Sequence, residues 1–73
     1  MIDKKVLDIY RFMNALAIVG CRVVHVILAP DLFTRIENVL DQADGSYFLF
    51  GASVEAADFM PEDAWAVRVE VKE

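Results

Sequence analysis

The chain has 73 residues, 58% of them hydrophobic, with one cysteine, one histidine and a formal charge of −5. A single cysteine excludes an internal disulfide, and one cysteine with one histidine cannot make a zinc site of the usual kind. The acidic balance argues against nucleic acid and against an anionic membrane surface, because phosphate binding needs clustered Lys and Arg.

This length makes one domain over residues 1–73, hiding roughly 60% of the unfolded surface. Folds this small often gain stability from disulfides, metals or oligomerisation. With the first two set aside, core quality and self-association remain. The start, Met1-Ile2-Asp3-Lys4-Lys5, is not followed by the apolar run of a signal peptide. Free Cys21 suits a reducing compartment. A cytoplasmic location without a cofactor is expected.

Asp3 to Val19 carries Val6, Ile9, Tyr10, Met13, Leu16 and Ala17 at helical spacing, and Gly20 is a reasonable stop. Leu7 and Phe12 lie off that stripe. The helix either packs on a sheet or also meets another chain.

Cys21 to Ala29 holds only two polar residues, Arg22 and His25, and is rich in β-branched side chains, which fit a pleated surface. Strict alternation would place Cys21, Val23, His25, Ile27 and Ala29 on one face and Arg22, Val24, Val26 and Leu28 on the other. Both faces are mainly apolar, so this is read as a central strand covered on both sides. The run is far shorter than the about 20 apolar residues of a membrane span. Pro30 suits a first helical position and Asp31 the positive end of a helix.

The second helix is predicted over Pro30–Ala43, with Leu32, Phe33, Ile36, Val39 and Leu40 on its apolar side. Asp44-Gly45 makes a turn. Tyr47–Phe50 is predicted as a strand apolar on both faces, and Val54–Ala57 as a short third one. Asp58–Asp63 is a loop, since Pro61 rules out a central strand. Trp65, Val67, Val69 and Val71 alternate with Ala66, Arg68, Glu70 and Lys72, a half-buried strand with charges on its outer side. The expected fold is α+β: two helices packed on one face of a small, mainly antiparallel sheet, in the order α-β-α-β-β-β. The second sheet face should then want cover from a partner.

Candidate chemistry is sparse. His25 among aliphatics reads as a neutral imidazole hydrogen-bonded in the core, and a catalytic role would need partners that the sequence does not supply. Cys21 would share its face at roughly 13 Å, too far for a Cys–His couple. Asp41, Asp44 and Gly45 fail the spacing of a calcium loop. No catalytic, cofactor or metal residue is expected, and the chain reads as a non-enzyme. Glu55, Asp58, Glu62 and Asp63 form the densest acidic run, which is either solvated or meets a basic partner.

From Ile27 onward, Ala29-Pro30 opens a helix and Asp44-Gly45-Ser46-Tyr47 follows it. Leu49-Phe50-Gly51, Val54 and Asp58-Phe59-Met60-Pro61 come next. This order resembles a segment in the C-terminal half of tailed-phage major capsid proteins and the layout of short phage-encoded proteins of unassigned role. Ser53 stands where that pattern has proline. The resemblance implies a phage or prophage origin and brings no catalytic residue. The expectation is a small assembly module that self-associates into a dimer or larger oligomer and docks on a phage or host protein. Tyr47, Phe48, Phe50 and Trp65 are the expected contacts, since aromatics dominate interface energetics. The alternative is an acidic inhibitor occupying a basic site on a host protein, in the host cytoplasm.

Overall fold

The computed structural model describes residues 2–71. Helix α1 (Lys4–Ile18) leads into strand β1 (Cys21–Leu28), then helix α2 (Pro30–Ile36), a 3-10 turn (Glu37–Val39), and strands β2 (Asp41–Ala43), β3 (Ser46–Leu49), β4 (Ala52–Ala56) and β5 (Trp65–Val71). The architecture is α+β, with a mixed sheet of five strands in the order β2-β3-β4-β1-β5. β1 pairs parallel with β4 and antiparallel with β5; the β2–β3 and β3–β4 pairs are antiparallel. The parallel pair needs a crossover connection, and α2 lies in that crossover.

The element boundaries follow local chemistry. The Asp3 carboxylate accepts the Lys5 N–H at 2.9 Å and caps α1. Gly20, at φ 83°, turns the chain out of α1 in the left-handed region where glycine bears no steric cost. Pro30 opens α2, with Asp31 in its first turn and Arg35 in its last, both favoured by the helix dipole.

The second helix is shorter than its apolar pattern predicts. α2 stops at Ile36, the 3-10 turn carries the chain to Leu40, and Asp41–Ala43 forms a fifth strand instead of a last helical turn. Leu32, Ile36 and Leu40 are buried, but Val39 is 50% exposed. Asp41, Gln42 and Ala43 gain antiparallel partners in Phe48, Tyr47 and Ser46, so sheet pairing overrides the helical spacing. Asp44 and Gly45, both at positive φ, close this hairpin as a type I′ turn. Phe50 and Gly51 close the β3–β4 hairpin the same way, which takes Phe50 out of the predicted strand.

One apolar cluster gathers Val6 and Ile9 from α1, Leu32 and Ile36 from α2, and Val26, Leu28, Leu49, Ala52 and Val54 from the sheet. Met13, Phe33, Trp65 and Val67 pack around it. Ile9, Val26, Leu28 and Leu32 are fully enclosed, the burial on which folding stability mainly rests.

At the rim an ion network ties three segments together. Arg35 donates from Nε to Asp3 Oδ2 at 2.7 Å and from Nη2 to Asp63 Oδ1 at 2.6 Å. Lys5 Nζ lies 3.5 Å from Asp63 Oδ2. The Asp63 N–H donates to both carboxylate oxygens of Asp31. The hydrogen bonds from Arg35 hold the Asp3 and Asp63 carboxyls below the usual carboxylate range, with the Lys5 backbone N–H helping at Asp3.

Candidate functional site

The decisive departure from simple alternation lies in β1. Val23 faces Val69 and His25 faces Arg68, so one extra residue, Val24, is accommodated as a β-bulge. The bulge changes which side chains share a face. Val23 joins Val26 and Leu28 against the core, whereas strict alternation set it apart from them. Cys21 and Val23 border a groove of about 470 Å³ beside Tyr10, Met13 and Phe50. His25 therefore does not share a face with Cys21 and Val23, and the sheet face turned away from the core is not the apolar surface that two-sided burial would need.

His25 is hydrogen-bonded, as expected, but half-buried and not enclosed in the core. Its side chain is 19% exposed. His25 Nε2 lies 2.6 Å from Glu55 Oε1, and His25 Nδ1 lies 2.5 Å from Ser53 Oγ. The Ser53 hydroxyl also lies within donating distance of the Val24 carbonyl, at 3.3 Å. His25 and Ser53 are register partners in the parallel β1–β4 pair, which is why the two meet. The sequence signal that could have found this cluster is the i, i+2 spacing of Ser53 and Glu55, which puts both on one face of a strand.

The connectivity is Ser–His–Glu. β4 is paired on both sides, by β3 and by β1. The cluster links β1 to β4 beside the bulge.

Across this face the register lines up one row through all five strands: Arg68, His25, Ser53, Phe48 and Asp41. Arg22 and Glu70 are the neighbouring pair, joined by an ion pair at 3.2 Å. The acidic run read from the sequence is divided among different tasks. Glu55 meets His25, Asp63 meets Arg35 and Lys5, and Asp58 and Glu62 stay exposed in the loop before β5.

The four aromatic residues expected at an interface do not form one patch. Tyr47 is half-buried, edge-on to Phe33 at 5.0 Å, and its hydroxyl donates to Glu37 Oε2 at 3.0 Å. That bond to a carboxylate pushes the Tyr47 phenol up. Phe48, half-buried, stands in the row with His25. Phe50 is 49% exposed at the hairpin turn, against Tyr10 at 5.0 Å. Trp65 packs edge-on to Phe12 at 5.6 Å and belongs to the core periphery.

The longer of the two edge strands is β5. It ends the sheet, and its outer edge has no strand partner among the described residues. It runs for seven residues, against three for β2 at the opposite end. Val69 is 38% and Val71 69% exposed. Lys72, assigned to the outer side of this strand from sequence, lies outside the described residues. An open edge of this length is a template for another strand. Comparisons with protein-family models, with curated proteins and with solved structures return no match.

Proposed function

We propose that this chain is a small, non-enzymatic protein–protein interaction module that acts by self-association and by docking on another protein. The single observation that carries the reading is the open β5 edge, where unpaired backbone groups and exposed valines coincide. The polar character of the sheet face around His25 moves the expected contact from that face to the edge. The inhibitor reading draws less support, because Asp63 and Glu55 are engaged within the chain.

A phage or prophage origin and a role in particle assembly complete the proposal. What supports them is the resemblance carried by Ala29-Pro30, Asp44-Gly45 and Met60-Pro61. Those residues start α2, turn the β2–β3 hairpin and lie in the loop before β5. The docked partner is another protein of the same particle or of the host.

Molar mass by light scattering, measured over protein concentration at low and high salt, tests the reading. The expected result is a dimer or larger assembly that persists at high salt, since backbone pairing and valine burial are little screened. A monomer at every concentration overturns it.

A further inference from the structure

We propose that β5 pairs antiparallel with β5 of a second copy about a two-fold axis through Val69, joining two five-stranded sheets into one of ten strands. The proposal rests on the self-association reading above and adds the surface, the symmetry and the register.

The symmetry restricts the choices strongly. A two-fold that brings two identical edges together antiparallel stands perpendicular to the sheet and keeps both core faces on the same side. Directly opposed residues must then point to the same face, so the axis passes through a residue and not between two. The centres from Val67 to Glu70 can be compared one by one. An axis at Arg68 sets Arg68 against its own copy, and an axis at Glu70 sets Glu70 against its own copy. Like charges directly opposed are destabilising. An axis at Val67 sets Arg68 against Ala66 and leaves Glu70 without a charged partner.

An axis at Val69 sets Arg68 against Glu70 twice, once on each side of the centre. The same register sets Val67 against Val71 twice and Val69 against itself. The sequence Val67-Arg68-Val69-Glu70-Val71 is self-complementary on both faces in this register. Val69 and Val71, exposed in the single chain, gain cover on the core side. On the other face the charges alternate across the seam. Arg22 meets Glu70 within one chain, Glu70 meets Arg68 of the second copy, and that Arg68 faces its own His25. The charges on this edge thus oppose the registers at Arg68 and Glu70, leave Glu70 unmatched in the one at Val67, and are fully matched in the one at Val69.

Charge exchange reads the register directly. R68E turns both cross-seam pairs into Glu–Glu, and E70R turns both into Arg–Arg. Each variant alone should dimerise at least about tenfold more weakly than the parent chain, as two reversed cross-strand charge pairs imply. An equimolar mixture restores Glu–Arg opposition at both positions and should dimerise like the parent. Circular dichroism shows that each variant keeps its fold.

A second measurement stands apart from the charges. V69C in a C21S background should cross-link through its new cysteine on oxidation, because an axial residue meets its own copy at disulfide distance. Single variants that dimerise like the parent, a mixture that stays weak, or a V69C chain that does not cross-link would overturn the Val69 register while self-association stands. A parent chain that is monomeric throughout overturns both.

Discussion

The two faces of the sheet are built on opposite principles. On the core side Val26, Leu28, Leu49, Ala52 and Val54 lie under both helices with almost no exposure, and their energetics is that of apolar area and close packing. On the other side His25, Ser53 and Glu55 form a hydrogen-bonded cluster flanked by Arg22, Arg68 and Glu70. Both β1 and β4 serve both faces, and in β1 the bulge at Val24 is what puts Val23 on the core side and His25 on the other. Burial holds the fold on one face, and polar pairing sets strand registry on the other.

The sharpest way to break this contrast is to truncate one residue on each side of β1. Leu28→Ala empties a fully enclosed site and should destabilise the chain by about 3 kcal/mol in denaturant unfolding. Ile27→Ala, on the half-buried side, should cost well under half of that. Equal losses would mean that the second face is as dry as the first. Ser53→Ala comes next. It leaves His25 Nδ1 and the Val24 carbonyl to find other partners, with an expected loss of about 1 kcal/mol. No change in the unfolding midpoint would show that the cluster does not hold the strands.

The smallest effect belongs to the rim, where Arg35 is exposed and Asp3 and Asp63 are half-buried. The folded carboxyls of Asp3 and Asp63 titrate below their unfolded value of 3.8. The unfolded chain therefore binds more protons in acid. The stabilisation from these groups is present above about pH 4 and is lost as pH falls through their folded values. Arg35→Gln removes the main cause of both shifts and should flatten that acid limb by lowering stability above about pH 4 towards the acid value, a small loss because solvent screens these pairs. An acid limb identical to the parent's would show that Arg35 does not hold these carboxyls.

The parts of the fold legible in the sequence were those fixed by neighbouring residues. α1, with Asp3 before it and Gly20 after it, needs nothing beyond local spacing and caps. β1 is marked by its valines, the start of α2 by Pro30, and the turn before β3 by Asp44-Gly45. Illegible were the features decided at a distance. Ile36, Val39 and Leu40 continue a helical pattern, and only the pairing of Asp41–Ala43 with β3 breaks it. No glycine announces the bulge at Val24, which appears once β5 is placed beside β1. For the same reason His25 looked isolated: Ser53 and Glu55 reach it through a parallel pairing that no local signal specifies. The candidate site was legible only as residue types, not as a place.

The position of β1 between β4 and β5 also has a consequence for the order of folding. Its contacts span 28 residues from His25 to Ser53 and 48 from Arg22 to Glu70. β2, β3 and β4, by contrast, are joined by two tight turns and form a meander of local contacts. Closing long loops costs entropy before any distant contact compensates it, so local hairpins have the kinetic advantage. The β4–β1–β5 side of this sheet is thus its slowest part to close, and β1 waits for strands that follow it in the chain.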